Sequence, residues 1–308
     1  MKRLEENSIY IINTQAIGDN IAAIPVVKYI IENVHLNSEC FIFVHSLLLE
    51  LYKRSNLDMS KIFPIEEINQ IVQKEILLPK KKFLQKTYYN YSETGATLEH
   101  SFRVRLGEYT SWQFMMKILN LDQLKYIKLN LKDVDVSKFK LPNKYFCVTP
   151  VYTSKNKKFE ESEYKLLIEY LNNKGILPVI LGNNKNHILY KLDINVEGHN
   201  CIDLVNKTTI TETAKIIDGA EGIFGLDNGL VHLAGCTNVK KIISGYTFTQ
   251  PILKMPICDN QVYTVEPDNC KFCMSDWFAD GWNFAKCYNN DSFSCAKEIT
   301  AEKVIKFI

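Results

Sequence analysis

Short apolar runs alternate with segments of helical periodicity along most of the chain. The β-branched run at residues 8–13 predicts a strand, and residues 21–33 place apolar side chains at helical spacing behind the turn-forming residues 14–20. The apolar run CFIFVH at residues 40–45 predicts a second buried strand. Strands that alternate with helices in this way are typical of parallel βαβ units.

The same alternation restarts in the second half of the chain. Thr209 and Glu212 have the spacing of a capping box at the start of a helix there. Residues 64–121 mix aromatic and charged side chains, and no element is assigned to them. Strands are predicted at residues 145–149, 176–181, 222–226 and 241–244, and helices at residues 160–173, 209–219 and 229–236.

The pattern favours an α/β protein with two doubly wound, Rossmann-like domains that face each other across a central cleft. The polar segment at residues 129–143 ends in Pro-Asn before a new strand, so we predict an N-terminal domain at residues 1–140 and a C-terminal domain at residues 141–308. In such sheets ligands bind beyond the carboxyl ends of the strands. The loops that follow predicted strands are therefore the candidates for ligand binding and catalysis.

The turn at Asp227, Asn228 and Gly229 joins a predicted strand to a predicted helix. The first N–H groups of such a helix, with its positive dipole end, form an anion site. His232 lies one turn further, where it could reach the same anion. Taken alone, the segment is more simply explained by a helix cap and a core histidine.

The loop at residues 149–159 follows another predicted strand and combines hydroxyl and ammonium groups. These groups pair well with phosphate oxygens, so the loop suits a diphosphate, and a solvated basic loop is the alternative. The groups belong to Thr149, Thr153, Ser154, Lys155, Lys157 and Lys158.

The loop at residues 14–20 follows the first predicted strand. It contains only Gly18, whereas a dinucleotide fingerprint requires G-x-G-x-x-G, so a nicotinamide enzyme is disfavoured. Asp19 is a candidate general base facing the expected cleft, and a helix N-cap is its local alternative.

Together the three loops resemble the ADP-heptose:lipopolysaccharide heptosyltransferase family, glycosyltransferase family 9. The family's first-loop pattern S-x-G-D…P is similar to Gln15-Ala-Ile-Gly-Asp-Asn-Ile-Ala-Ala-Ile-Pro25, and its donor pattern D-T/S-G-x-x-H-L-A to Asp227-Asn-Gly-Leu-Val-His-Leu-Ala234. Its K-x-W pattern resembles Lys157-Lys-Phe159, and its DL-x-G-K-T pattern resembles residues 202–208. The order and spacing of the four patterns match, and the ordered set is specific.

The resemblance implies a GT-B fold, with an acceptor-side N-terminal domain and a C-terminal domain that binds a nucleotide sugar. It implies inverting transfer of a sugar, with ADP-heptose as the expected donor, to a hydroxyl of a glycan, the lipopolysaccharide core or a protein. Asn228 and Phe159 depart from the family's Thr or Ser and Trp, and no acidic residue is evident after Leu181-Gly182. These departures leave the donor sugar open.

The resemblance also implies roles for single residues. Asp19 would be the catalytic base, with Gly18 and Asn20 beside it on the acceptor side. No divalent metal is required for this chemistry; Asp133-Val-Asp135 imitates a metal-binding DxD but lies in the linker. Donor contacts would come from Thr149, Thr153, Lys157, Asp227, Asn228, Gly229 and His232, with Lys157 on the phosphate.

Cysteines crowd into the C-terminal region, where four of them have the look of a tetrahedral zinc or iron site. Free thiols or one disulfide are the alternatives, and a reducing cytosol favours thiolates. Family members often carry a similar cysteine set, and in some related protein heptosyltransferases it holds iron. Trp277 and Trp282 are expected to pack this loop. The four residues are Cys270, Cys273, Cys287 and Cys295.

Composition adds few constraints. The chain has 308 residues, 46% of them hydrophobic, and its formal net charge of +2 gives no general attraction to nucleic acid. No apolar run approaches the roughly 20 residues of a membrane span, so a cytoplasmic location is expected. The basic cluster at Lys80, Lys81, Lys82 and Lys86 is a solvated face, or a patch that meets an anionic acceptor or the inner membrane. The oligomeric state is left open.

Two other functions remain open at this point. One is an epimerase or a different transferase on the same scaffold, because a fold does not determine a function. The other is a non-catalytic module for sugar-nucleotide binding or assembly.

Overall fold

A computed structural model describes residues 8–12, 17–34, 40–67, 125–185, 191–192, 194–273, 287, 289 and 292–308. The chain divides into two units, Met1–Leu131 and Lys132–Ile308. This division falls inside the polar segment at residues 129–143. The basic cluster at Lys80–Lys86, most of the unassigned segment at residues 64–121, and Trp277 and Trp282 lie outside the described residues.

The first unit contains a parallel sheet with the order β1-β2-β3, formed by β1 (Ser8–Ile12), β2 (Cys40–Val44) and β3 (Ile62–Pro64). Helix α1 (Ile17–Tyr29) lies between β1 and β2 in the chain and continues as a π-helix, Ile30–Val34. Helix α2 (Leu49–Arg54) follows β2.

Helix α1 starts earlier than the sequence predicted. Gly18, Asp19 and Asn20 lie in its first turn, whereas a loop was expected at residues 14–20. Gly and Asn are weak helix formers, but the residues that follow form a continuously buried apolar run. Tertiary burial of this kind commonly outweighs local propensity, and it extends the helix backwards to Ile17.

The second unit contains six parallel strands with the order β6-β5-β4-β7-β8-β9. This is the Rossmann order, in which the direction of winding reverses between the two central strands, here β4 and β7. The strands are β4 (Tyr145–Thr149), β5 (Leu177–Ile180), β6 (Ile202–Asp203), β7 (Ile223–Leu226), β8 (Lys241–Gly245) and β9 (Gln261–Val265). The short β6 and the edge strand β9 were not predicted.

The helices of this unit agree closely with the sequence prediction. The capping box is confirmed, because Thr209 N donates to Glu212 Oε2 at 2.8 Å and Glu212 N donates to Thr209 Oγ1 at 3.2 Å. The helices are α3 (Glu161–Asn173), α4 (Ile210–Asp218), α5 (Gly229–Gly235), α6 (Pro251–Lys254), α7 (Ser294–Lys297) and α8 (Ala301–Ile305). In the described part of the chain, no helix is both long and apolar enough to cross a bilayer.

Phe159 anchors the loop after β4 in the core of the second unit. Its ring lies edge-on to Tyr164 at 4.6 Å and to Phe224 at 4.9 Å, between α3 and the sheet. Phe159 therefore packs where the family pattern has tryptophan, and it fixes the position of the lysines that precede it.

Candidate functional site

Three loops at the carboxyl ends of β4, β7 and β8 meet where the winding of the second sheet reverses. The strands that they follow are adjacent, in the order β4-β7-β8. Open α/β sheets bind ligands at this topological switch point. We call these three segments, residues 150–160, 227–228 and 246–250, the switch-point loops.

Lys157 and Asp227 join the first two of these loops. Lys157 ends a single 3₁₀ turn, Lys155–Lys157, and its Nζ lies 2.8 Å from Asp227 Oδ2 and 3.2 Å from the Asp227 carbonyl oxygen. The same Nζ lies 5.5 Å from the centre of the Phe248 ring, which belongs to the loop after β8. The Asp227 side chain is 5% exposed and that of Lys157 20%, so the carboxylate is buried while the ammonium keeps access to solvent.

Thr247 and Thr249 join the third loop to the other two. Thr249 Oγ1 donates to Asp227 Oδ2 at 3.2 Å, and Thr247 Oγ1 donates to the carbonyl oxygen of Asn156 at 2.6 Å. Both threonines are buried. No sequence pattern marks these two threonines; the available signal is a pair of hydroxyl residues shortly after a buried strand.

The charges of this site are set by burial and by the two neighbouring lysines. Burial alone would raise the pKa of the Asp227 carboxyl, but the ammonium groups of Lys157 and Lys254 outweigh it and hold the pKa below its ordinary value. Asp227 is therefore ionised at neutral pH. Lys157 meets it as a charge-assisted ion pair.

Asn228 links the start of α5 to the end of β4. Its Oδ1 accepts from the N–H groups of Leu230 and Val231 at 3.0 and 3.2 Å, and its Nδ2 donates to Thr149 Oγ1 at 3.2 Å. The alternative explanation, a helix cap, therefore holds for Asn228, and the amides of Leu230 and Val231 are occupied by its side chain. An anion here depends on Lys157 more than on the helix.

Gly225 makes the link between Thr149 and Asn228 sterically feasible. A Cβ at this position would lie 2.3 Å from Thr149 Cγ2 and 2.9 Å from Asn228 Nδ2. Neither atom can move without breaking the hydrogen bond between these two side chains.

The remaining candidate residues are placed in different parts of the chain. Thr153 is half-buried in the loop after β4, and Gly229 is the first residue of α5. Gly18 and Asn20 belong to the first unit, where the buried Oδ1 of Asn20 accepts from Tyr52 Oη at 2.9 Å. The backbone of Asp19 lies in α1, and its side chain lies outside the described residues.

The Asp-x-Asp segment serves as local structure. Asp135 Oδ1 accepts from the N–H of Ser137 at 2.8 Å, at the start of the 3₁₀ turn Ser137–Phe139. This supports its interpretation as part of the linker.

Two asparagines, Asn184 and Asn206, join the loops after β5 and β6 by hydrogen bonds. They lie near the position where the family has an acidic residue. Asn184 N donates to Asn206 Oδ1 at 3.0 Å, and Asn206 Nδ2 donates to Asn184 Oδ1 at 2.7 Å. Asn206 adopts a left-handed conformation, with φ of 60°, which asparagine tolerates better than most residues. This pair is uncharged.

Three of the four C-terminal cysteines affect the fourth, Cys295. Cys295 is buried in α7, and burial, followed by the proximity of Cys270 and Cys273 and then Cys287, raises the pKa of its thiol to about 12. Within the described ranges, no group of three or more His, Cys, Asp or Glu side chains has an arrangement that could hold a metal ion. The structure thus brings the predicted cysteines into one region without a formed coordination site.

The sequence that forms this site matches the model of a known protein family. The model of glycosyltransferase family 9 (heptosyltransferase) matches residues 114–277, which is more than half of the chain. The chain belongs to glycosyltransferase family 9. No curated protein matches its sequence.

Solved structures of family-9 enzymes and related glycosyltransferases share the fold at low sequence identity. The iron-containing dodecameric glycosyltransferase TibC from enterotoxigenic E. coli matches with a TM-score of 0.72 and 14% identity, over 100% of this chain and 76% of that one. The family-9 glycosyltransferase from Veillonella parvula matches with a TM-score of 0.68 and 12% identity, over 99% and 98%. The E. coli ADP-heptose lipopolysaccharide heptosyltransferase II matches with a TM-score of 0.66 and 14% identity, over 97% and 96%.

These matches confirm the family resemblance and the predicted fold class, α/β of the GT-B type. The family-9 chain is a glycosyltransferase, which decides against the non-catalytic alternative.

We predict that His232 makes the stability of this enzyme depend on pH. Burial lowers the pKa of His232 from 6.5 to about 4, against the opposing effect of Asp227 and with the help of Lys254 and Lys157. Between these pH values the unfolded chain binds a proton that the folded chain does not. The free energy of unfolding should therefore fall by on the order of 2–3 kcal/mol as the pH drops from 6.5 to 4, and be unaffected by this group above 6.5.

Denaturant unfolding of the wild type and of His232→Gln at several pH values measures this effect. Glutamine does not titrate, so the variant should show a flatter pH dependence over this window. Parallel curves for the two proteins would contradict the prediction.

Proposed function

We propose that this family-9 enzyme transfers heptose from ADP-heptose to a hydroxyl of a glycan or lipopolysaccharide core, with inversion at the anomeric carbon. The observation that carries the proposal is the Lys157 ammonium, fixed by a buried carboxylate at the topological switch point. The related structures support the donor: TibC was solved in complex with ADP-D-beta-D-heptose, and E. coli WaaC with ADP.

The switch-point loops would hold the donor by its diphosphate. Lys157 is half-buried, so part of its ammonium is available to phosphate oxygens. The amides of Leu230 and Val231 in α5 donate to the Asn228 side chain, so they do not add to the positive charge that Lys157 supplies. Thr153 and Gly229 would line the same pocket, with the small Gly229 allowing close approach of the backbone. The side chains of Thr149 and Asn228 are hydrogen-bonded to each other, so they would support the shape of the pocket.

The chemistry requires a base for the acceptor and a cation for the leaving group. Asp19 would take the proton of the acceptor hydroxyl as its oxygen attacks the anomeric carbon and the bond to the diphosphate breaks. Negative charge grows on the departing ADP, so Lys157 stabilises the transition state more than the ground state. Lys157 thus supplies the positive charge that a divalent ion supplies in other transferases.

A protein hydroxyl is the second candidate acceptor, and the cysteine region favours it. The chain matches the iron-containing TibC, and its own four cysteines lie near one another. Cys270, Cys273, Cys287 and Cys295 are the thiols that would hold a cation, although their arrangement in the described residues does not form a coordination site. A bound iron or zinc would stabilise this C-terminal region and take no part in transfer.

The proposed cellular location follows from the acceptor. An enzyme acting on lipopolysaccharide core would work in the cytoplasm at the inner membrane, where its nucleotide-sugar donor is available. No oligomeric state is assigned.

Asp19→Asn tests the catalytic assignment. The amide cannot accept the proton, so kcat should fall by at least about 10²-fold, while ADP-heptose should still raise the melting temperature as it does for the wild type. ADP-heptose should also raise it more than UDP- or GDP-sugars do.

Asp58→Asn is the matched control, because Asp58 is an exposed acid of the same unit that only caps a turn. It should keep wild-type turnover. Full activity of Asp19→Asn would overturn the base assignment, and equal shifts with all donors would overturn ADP-heptose as the donor.

Metal analysis of the purified enzyme tests the cysteine assignment. We expect about one equivalent of iron or zinc, lost when Cys270 and Cys273 are both changed to serine. Cys258→Ser, at a half-buried cysteine outside the set of four, should keep the metal. Less than about a tenth of an equivalent in the wild type would exclude a stable site.

A further inference from the structure

An acid is an unexpected residue beside a diphosphate. Asp227 is ionised and buried at the point where Lys157 would meet the phosphates. A direct contact between this carboxylate and a phosphate would place like charges together in a poorly solvated site, which is strongly unfavourable. The contacts of Asp227 indicate a different role.

The two hydrogen-bond donors shown for the Asp227 side chain are Lys157 and Thr249, while Lys254 and His232 act on its charge. Oδ2 accepts from the Lys157 ammonium at 2.8 Å and from Thr249 Oγ1 at 3.2 Å. A carboxylate oxygen offers two lone-pair sites, so these two donors account for both. A carboxylate held by the lysine alone could rotate about its Cβ–Cγ bond, and the hydroxyl removes this freedom.

The backbone around Asp227 restricts it further. Its N–H donates to the carbonyl oxygen of Gly245 at 3.1 Å, and its own carbonyl oxygen accepts from Lys157 at 3.2 Å. Thr249 is 2% exposed, so no water competes freely for its hydroxyl. The result is a chain from Thr249 through Asp227 to Lys157, in which the lysine is the most exposed member.

We propose that Asp227 and Thr249 are positioning residues, which aim the Lys157 ammonium at the departing diphosphate. This inference rests on the proposed function, in which Lys157 stabilises the leaving group. Thr249, which belongs to none of the family patterns, thereby acquires a role. Asp227 acts on the leaving group through Lys157.

Thr249→Val tests this role, because valine has nearly the shape of threonine and lacks only the hydroxyl. Lys157 and Asp227 keep their charges, but the ammonium is held less tightly, so kcat should fall about tenfold while the KM for the donor changes less than about twofold. Thr249→Ser restores the hydroxyl and should recover most of kcat.

Thr237→Val is the matched control. Thr237 is also buried, and its hydroxyl donates to the carbonyl oxygen of Ala234 at the end of α5, away from the switch-point loops. The change should leave kcat unaltered. Should valine at position 249 prevent folding, Thr249→Ala against Thr249→Ser differs by one hydroxyl and gives the same comparison.

A double-mutant cycle with Lys157→Met separates positioning from a general structural effect. The change at Thr249 should have no further effect on kcat once the lysine is gone. The inhibition constant of ADP gives a second measurement, because ADP carries the charge that the leaving group acquires. It should rise about tenfold in Thr249→Val alone and remain unchanged by Thr249→Val in the Lys157→Met background.

The outcomes distinguish this inference from the proposed function. A tenfold loss that persists in the Lys157→Met background, or no loss in Thr249→Val, overturns the positioning role alone. Normal turnover and normal ADP inhibition in Lys157→Met overturn the proposed function, and the positioning role falls with it.

Discussion

The buried ion pair between Lys157 and Asp227 is the interaction on which the rest of the site depends. A charge removed from water is stable only if it is paired and its remaining hydrogen-bonding sites are filled. Here Oδ2 of the aspartate after β7 accepts from a lysine in the loop after β4 and from a hydroxyl in the loop after β8. None of the three loops can move independently without exposing or unpairing the carboxylate.

The surrounding packing serves to hold these loops in place. Phe159 fixes the first loop in the core, and Asn228 joins the start of α5 to Thr149 across a glycine that leaves no room for a side chain. Asp227 itself has a positive φ of 23°, which is uncommon outside glycine. Backbone strain of this kind persists where the neighbouring structure overdetermines it, as in functional sites.

Most of the residues of this site that could be named from the sequence belong to a family pattern. Lys157, the Asp227–Gly229 turn and His232 stand directly after predicted strands, and their order along the chain matched the family pattern. Thr249 and the amide pair of Asn184 and Asn206 could not be predicted in this way, because only the fold brings them to their partners. The helix cap that the sequence offered as the simpler explanation of the Asp227–Gly229 turn is present, because the Asn228 side chain accepts from two amides at the start of α5.

The fold was predicted best where periodicity is strong and strands are long. The central strands and the capped helix α4 match, whereas the two-residue β6 is too short to leave a pattern. The start of α1 was misplaced because a buried apolar run, a property of the folded unit, overrides the weak helix propensity of Gly18 and Asn20.

Calorimetric titration of ADP and of adenosine into the wild type and Lys157→Met tests the central claim most directly. If Lys157 is the diphosphate cation, the variant should bind ADP at least about tenfold more weakly and bind adenosine as the wild type does. Equal affinities of both proteins for ADP, or an equal loss for ADP and adenosine, would contradict the account.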